Sequence, residues 1–342
     1  MATHTRYAPD RGLTVRMTAT MFLLGLVFVV FVGLVIGIMT AAHASAASII
    51  LVAVIFGGGS AFISLFYSDK IALAAAGARE VSAKDEPTLH GIVDRLCALA
   101  DMDKPRVAIA PARMPNAFAT GRNSKNSVLC VTEGLLYHSD LTQEELEGVL
   151  AHELSHVAHK DVQVMTYASL LAIVAGLLVR FAFYSEIFGG ARRGGGNNQA
   201  ALLIPLIMLA SAVVYAISFL LIRLLSRYRE LAADRSGALL TQNPSALISA
   251  LTKVSLGMNR IPTQDLRTAE PLNAFYFAPA MKVQLTGPGG RGGRGGGGGG
   301  GGAGTSLSAL FSTHPSLDKR IEQLEKIQRE LGQVGQDPRG LR

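Results

Sequence analysis

Two long apolar runs near the start of the chain constrain its fold most. Residues 21–40 and 46–66 contain no charged side chain, and a helix needs roughly 20 such residues to cross a bilayer. We therefore predict a transmembrane helical hairpin. The connection between the runs has no Lys or Arg, whereas basic residues flank the pair on both sides: Arg6, Arg11, Arg16, Lys70, Arg79 and Lys84. Because positive charge marks cytoplasmic segments, both flanks are predicted to be cytoplasmic.

Residues 42–46 also resemble a signal-peptidase site. Cleavage there is an alternative that removes only the first run and leaves the orientation of the next domain unchanged.

Two further apolar blocks, residues 162–178 and 201–222, predict a second hairpin and about four transmembrane helices in all. Short helices buried within protein are the alternative for this pair. With 49% hydrophobic and 17% charged residues, the chain is too apolar for an ordinary soluble enzyme. We divide it into a tail with the first hairpin, a first soluble part, the second hairpin and a second soluble part: residues 1–68, 69–161, 162–223 and 224–342.

The soluble parts have the polarity of a globular domain. Their patterns predict a helix at residues 87–100, strands at 106–110 and 127–131, and a C-terminal helix at 315–331. That last helix has one apolar face, formed by Leu317, Ile321, Leu324, Ile327 and Leu331. Residues 287–304 are nearly all glycine and predict a flexible, solvated insertion.

Charge and cysteine content exclude two other classes of protein. The net charge is +7, but the basic residues are dispersed and no aromatic residues accompany the arginines of the Gly-rich insertion, so no nucleic-acid partner is predicted. The chain has two cysteines, Cys97 and Cys130, without CxxC spacing. We interpret both as reduced, buried thiols.

A histidine pair carries the chemistry. Thr142 and Glu145 form a capping-box pattern, which predicts that a helix begins there. His152 and His156 follow in the sequence HELSH, four residues apart, so both imidazoles face one point on that helix. Such a pair can hold a catalytic zinc ion, with Glu153 as the general base that takes a proton from the attacking water.

A third ligand is predicted far downstream. In the sequence RELAAD, Glu230 and Asp234 share a helix face, so Glu230 can bind metal while Asp234 orients a neighbouring imidazole. A solvated acidic face is the alternative. Glu230 and His156 can meet only if the intervening chain crosses the membrane an even number of times, which two spans satisfy. Both residues lie a few positions from an apolar block, so the metal is predicted near the membrane surface.

HELSH at residues 152–156 and RELAAD at 229–234 resemble the HtpX-type integral-membrane metalloproteases, which are related to the CAAX prenyl proteases. NAFATG at 116–121 and FSTHP at 311–315 resemble further motifs of that family, and the likeness covers most of the chain. The resemblance implies an α+β, mostly helical, gluzincin-like zinc metalloprotease domain with about four transmembrane helices. The long Gly-rich insertion departs from the family pattern.

The resemblance also implies roles for single residues. His152, His156 and Glu230 would bind one zinc ion per chain, Glu153 would be the base, and Asp234 would orient a ligand. His314 would stabilise the oxyanion. Four residues would form an edge strand that pairs with extended substrate: Asn116, Ala117, Phe118 and Ala119. We interpret His159 and Asp161, which continue beyond the histidine pair, as structural.

The expected activity is peptide-bond hydrolysis. By resemblance it needs no ATP, and no GxxxxGK[ST] phosphate loop occurs in the sequence. By resemblance, the substrates are misfolded or damaged membrane proteins, and the enzyme lies in the inner (plasma) membrane with its site facing the cytoplasm. A prenyl-peptide protease and a catalytically silent membrane scaffold are the alternatives. Charged residues around HELSH disfavour an intramembrane protease, and spans without charges disfavour a transporter. The oligomeric state is not indicated.

Overall fold

The computed structural model describes residues 11–41, 59–121, 123–166, 168, 176, 198–261 and 312–334. The chain divides into two compact units. We call the first the sheet unit; it consists of Met1–Asp10, Ser68–Asp161 and Arg229–Arg342. The second, the span unit, consists of Arg11–Tyr67 and Val162–Tyr228.

Long helices form the described parts of the span unit. Helix α1 (Arg11–Ala41) contains the first apolar run, and helix α2 (Gly59–Ala76) begins inside the second. Leu24, Ala168 and Leu225 form a small buried cluster, while large apolar side chains point outward, as a lipid-facing surface requires: Phe22 is 71% exposed and Leu209 64%.

Two segments of the described chain are long and apolar enough to cross a membrane, Arg11–Phe31 and Met208–Thr241. They indicate a membrane protein. The second segment belongs to helix α6 (Asn198–Thr241), whose charged residues all follow residue 222. Residues 42–58 and most of 162–178 lie outside the described residues, so the predicted count of four spans stays a prediction.

A four-stranded sheet forms the framework of the sheet unit. Its strands are β1 (Arg79–Glu80), β2 (Arg106–Ala110), β3 (Ala117–Gly121) and β4 (Ser127–Thr132), in the order β1-β2-β4-β3. Strand β2 runs parallel to β4, while β1 and β3 are antiparallel to their neighbours. Strand β3 therefore lies at an edge of this sheet, with β4 on one side.

Helices cover the sheet and enclose one core. They are α3 (Pro87–Ala100), α4 (Glu133–Tyr137), α5 (Gln143–Ala158), the end of α6, α7 (Pro244–Arg260) and α8 (Leu317–Val334). Core side chains come from the sheet and from each of the longer helices, for example Leu96, Leu129, Leu150, Leu247 and Leu324. Burial of such side chains, at about 1.5–3 kcal/mol each, is the main stabilising contribution.

The local predictions for the soluble parts are confirmed with small shifts at the ends. Helix α3 spans the predicted residues, starting at Pro87, where the missing amide hydrogen costs nothing. Strand β4 runs one residue further than predicted, and α8 begins at Leu317 rather than at residue 315. Cys97 and Cys130 are free and buried, as predicted, and burial raises the pKa of the Cys130 thiol to about 12.

Candidate metal centre

Helix α5 positions the histidine pair, and its start is strongly determined. The Thr142 hydroxyl accepts from the Glu145 amide, and the Glu145 carboxylate accepts from the Thr142 amide at 2.7 Å, which confirms the capping box. Lys253 of α7 donates to the same carboxylate at 2.8 Å. These contacts fix the register of α5 against α7, and the register decides which side chains face inward ten residues later.

The structure brings His152, His156 and Glu230 together. The two histidine Nε2 atoms lie 3.2 Å apart. His152 Nε2 lies 3.6 Å from Glu230 Oε2, and His156 Nε2 lies 3.6 Å from the other carboxylate oxygen, Oε1. A tetrahedral zinc ion with ligands at 2.0–2.1 Å requires ligand atoms about 3.4 Å from one another. The three groups therefore have the spacing of a metal site, and within the described residues they form a group suited to holding a metal ion.

Carboxylates behind the ring pair orient both imidazoles. His152 Nδ1 lies 2.9 Å from Asp234 Oδ1, as predicted for Asp234, and His156 Nδ1 lies 2.6 Å from Asp161 Oδ2. A carboxylate at Nδ1 holds the ring hydrogen there, so the lone pair of Nε2 faces the other ligands.

The interpretation of Asp161 as merely structural is therefore wrong in one respect, because its carboxylate contacts the imidazole of a candidate metal ligand, His156. Helix α5 ends at Ala158, and Lys160 adopts a left-handed conformation with φ 56°. That turn brings the Asp161 carboxylate back to His156. His159, the other residue of this segment, lies 3.4 Å from the Ser236 hydroxyl.

Glu153 lies beside the three ligands, buried and only partly satisfied. Its Oε2 accepts from the Ala119 amide at 3.0 Å, while the buried Oε1 has no hydrogen-bond partner in the described structure. Burial raises the pKa of the Glu153 carboxyl to about 8. A free oxygen and a pKa near neutrality are what a general base requires.

The candidate substrate strand adjoins Glu153. Three of its four predicted residues, Ala117, Phe118 and Ala119, belong to β3, and Asn116 precedes them and donates its backbone amide to the Thr132 hydroxyl. Because the Ala119 amide donates to Glu153, it points away from β4, toward the side of β3 on which the described part of the chain has no strand. The family resemblance predicted a strand here, and a strand is observed.

The structure also places His314 at the centre. Its Nδ1 lies 3.1 Å from Glu230 Oε2, and the residue is buried just before helix α8. His314 thus reaches the candidate ligands through the carboxylate of Glu230. The position is close enough for the predicted contact with substrate, although the observed neighbour is a ligand side chain.

Two arginines were not predicted. Arg320 donates from Nε and Nη2 to the two oxygens of Asp234 at 2.7 and 2.6 Å, and Arg229 Nε lies 2.9 Å from Asp161 Oδ2. One signal for Arg320 was present in the sequence. It stands three residues after Leu317 and four before Leu324, on the apolar face of the predicted helix, where a charged residue needs a buried partner.

The formal charge of the centre suits a divalent cation. Four carboxylates are buried here, those of Glu153, Glu230, Asp234 and Asp161, against the buried guanidinium group of Arg320 and that of Arg229, whose side chain is 11% exposed. With every carboxylate ionised and the histidines neutral, the protein groups would carry a net charge of −2. Buried charge is costly unless it is compensated, so this donor set fits an ion of charge +2.

The protein groups alone also favour a proton between the two rings. Burial alone would lower the pKa of His152, but Asp234 and Glu230 outweigh it and raise the pKa to about 9. Burial lowers the pKa of His156. The Nε2 atom of one ring then donates a hydrogen bond to the Nε2 atom of the other across 3.2 Å. This proton lies where a metal ion would bind both Nε2 lone pairs.

Comparison with known proteins gives consistent results. The sequence profile of peptidase family M48 matches residues 83–328. A protease HtpX homolog 1 from Streptomyces coelicolor is 52% identical over 330 residues, which cover 96% of this chain and 97% of the relative. A protease HtpX homolog from Moorella thermoacetica is 45% identical over 94% of this chain and 96% of the relative.

A solved structure has a weaker likeness. The crystal structure of Ste24p from S. mikatae is 16% identical, with a TM-score of 0.44, over 92% of this chain and 66% of that one.

Proposed function

Because the chain belongs to peptidase family M48 and is similar to HtpX proteases over nearly its full length, we propose that it is a membrane-bound zinc endopeptidase. The observation that carries the proposal is the triangle of His152, His156 and Glu230, with its zinc-like spacing and the buried Glu153 beside it. One zinc ion per chain fits this donor set of two imidazoles and a carboxylate, which leaves an open position for water.

The residues have distinct tasks in peptide hydrolysis. A bound zinc ion would supply a Lewis acid that polarises the substrate carbonyl and lowers the pKa of water to about 7. Glu153 would take a proton from the attacking water on its free Oε1 and deliver it to the leaving amine, while the Ala119 amide holds Oε2 in place. His314 would donate to the oxygen on which negative charge develops, as its place beside Glu230 allows.

The edge strand supports recognition of extended peptides. In a strand, the amide and the carbonyl of one residue point to the same side, so the Ala119 carbonyl faces the same way as the amide that donates to Glu153, and the carbonyl would accept from a substrate strand. A substrate strand added there would pair through backbone groups, with little dependence on its side chains. Unfolded protein segments of varied sequence would satisfy this requirement.

We further propose an ATP-independent quality-control role for misfolded or damaged membrane proteins, at the cytoplasmic face of the inner (plasma) membrane. Three features support it: the candidate membrane helices, the basic residues that flank the first hairpin, and the absence of a GxxxxGK[ST] phosphate loop from the sequence. Four spans would keep both parts of the sheet unit on one side of the membrane.

The deciding experiment compares the wild-type chain with Glu153→Gln in detergent. Both should bind one equivalent of zinc, whereas only the wild type should cleave casein or an unfolded membrane protein. Glu147→Gln is a matched control on the same helix, because its exposed pair with Arg95 contributes little. It should cleave like the wild type.

Three results would contradict the proposal or redirect it. A chain that binds no zinc would contradict it, and so would an active Glu153→Gln variant. Cleavage restricted to lipidated peptides would point to a prenyl-peptide protease instead.

A further inference from the structure

The two candidate ligand histidines are held from behind in the same manner. Each Nδ1 atom contacts a buried carboxylate, and each of those carboxylates contacts the guanidinium group of an arginine whose side chain is 3% or 11% exposed. The carboxylates lie far apart in the sequence: Asp161 follows the turn after helix α5, and Asp234 lies on α6. The result is two similar chains of side chains: His152–Asp234–Arg320 and His156–Asp161–Arg229.

We propose that Arg320 and Arg229 are positioning residues of the metal centre, each acting through the carboxylate that orients one histidine. The inference rests on the proposed function, because it presumes that the candidate ligands bind zinc. Arg320 Nη2 also lies 3.5 Å from His152 Nδ1, the ring nitrogen that contacts Asp234 and not the one that faces Glu230, so Arg320 acts from behind the ring.

Arg320 has the geometry to fix a carboxylate in orientation as well as in charge. Its Nε and Nη2 donate to different oxygens of Asp234, at 2.7 and 2.6 Å, and the paired side chains are 3% and 0% exposed. A guanidinium fork that holds both oxygens prevents the carboxylate from rotating. Since Asp234 Oδ1 also contacts His152 Nδ1, the orientation passes on to the ring.

Arg229 makes a weaker contact. Its Nε lies 2.9 Å from Asp161 Oδ2, the same oxygen that lies 2.6 Å from His156 Nδ1, but without the alignment of a hydrogen bond. Arg229 directly precedes Glu230 in the sequence. The pair therefore ties the segment that carries the third ligand to the segment that follows the histidines. A smaller effect than that of Arg320 is expected.

A simpler role for both arginines is to neutralise buried negative charge, and substitution by lysine separates the two roles. Lysine keeps the positive charge but is a point charge on a flexible stem and cannot hold two oxygens at once. If charge alone matters, lysine preserves the zinc affinity. If orientation matters, the affinity falls by about 10- to 100-fold, as is usual when a group that holds a metal ligand is lost.

The test measures zinc affinity by chelator competition on the full chain in detergent, with Glu153→Gln present throughout to abolish cleavage. We expect Arg320→Lys to weaken zinc binding by about 10- to 100-fold and Arg229→Lys by a smaller factor. Controls are Arg329→Lys on α8, where the side chain is 66% exposed, and Arg235→Lys on α6. Melting curves in EDTA establish that each variant is folded.

A double-variant cycle tests whether Arg320 acts through Asp234. Once Asp234→Asn has removed the carboxylate, Arg320→Lys should weaken zinc binding little further. Wild-type zinc affinity in Arg320→Lys would overturn the inference, and so would an equal loss with and without Asp234→Asn. If Arg320→Lys does not fold, Arg229→Lys is measured with and without Asp161→Asn, and an equal loss of zinc affinity in both backgrounds, or no loss in either, would overturn the inference. Failure of the parent chain to bind zinc would refute the proposed function instead.

Discussion

Gly237 lies where helix α6 packs tightly against helix α5, which carries the two candidate histidine ligands. A Cβ atom at this position would stand 3.0 Å from the His152 backbone nitrogen and 3.2 Å from its Cα atom. Gly237 is seven residues after Glu230 and three after Asp234, so all three lie on one face of α6. We therefore expect Gly237→Ala to move the third candidate ligand relative to the first.

The size of the effect follows from the contact distances. Carbon atoms in contact prefer separations of about 3.5–4.0 Å, so the added methyl group would push the helices apart by about 0.5 Å. Metal–ligand distances tolerate about 0.2 Å. Glu230 lies about 10 Å along the same helix, so the shift should reach its carboxylate and weaken zinc binding by about 10- to 100-fold.

The free energy of unfolding without zinc should fall by about 0–2 kcal/mol. Overpacking costs about 1–3 kcal/mol, and the replacement of a helical glycine by alanine returns about 1 kcal/mol. Zinc affinity is measured by chelator competition, and the free energy of unfolding in EDTA by denaturant titration. Gly91→Ala on α3 is the control, because no atom lies within 4 Å of its added Cβ. Unchanged zinc affinity in Gly237→Ala would refute the argument that this glycine sets the spacing.

Three further predictions concern protons and charge. The pKa of His152 is raised to about 9, so below that pH zinc must displace a proton from this ring. The zinc affinity of Glu153→Gln should therefore rise about tenfold per pH unit between about pH 6 and 8. Calorimetry in two buffers should detect about one released proton, and no release would contradict this. Burial raises the pKa of Glu145, but hydrogen bonds from Lys253 and Ser249 outweigh it and lower the pKa. Glu145→Gln should therefore destabilise the fold by about 1 kcal/mol at neutral pH. The difference in denaturant midpoint between the variant and the wild type should disappear at acidic pH, where the Glu145 carboxyl of the folded wild type becomes protonated. His314→Asn should reduce kcat by about 100- to 1000-fold with KM nearly unchanged; a change in KM alone would argue against oxyanion stabilisation.

Sequence spacing predicted those features that depend on one helix or strand. The capping box at Thr142 set the start of α5, and the four-residue interval between His152 and His156 then required both rings to face one point. The strand at residues 106–110 and the helix at 87–100 followed from apolar periodicity. Glu230 could be predicted because the motif that contains it is a run of consecutive residues. Its position beside the histidines depends on tertiary contacts.

The missed features depend on tertiary contacts. Arg320 occupies a position that an amphipathic pattern assigns to an apolar side chain, and only its partner Asp234, 86 residues earlier, explains its burial. Asp161 was missed because a left-handed turn at Lys160 returns it to α5. Strand β1 has two residues, too few for any period to be visible.

The arrangement of the metal centre along the chain has a consequence for biosynthesis. His152 and Arg320 meet across 168 residues, and residues 162–228, which belong to the span unit, lie between them. Synthesis at about 5–20 residues per second separates their appearance by roughly 10–30 s. Glu230 appears about halfway through that interval, and Arg320 appears at its end. The candidate site of a nascent chain therefore lacks its third ligand until the apolar block at residues 201–222 has been made.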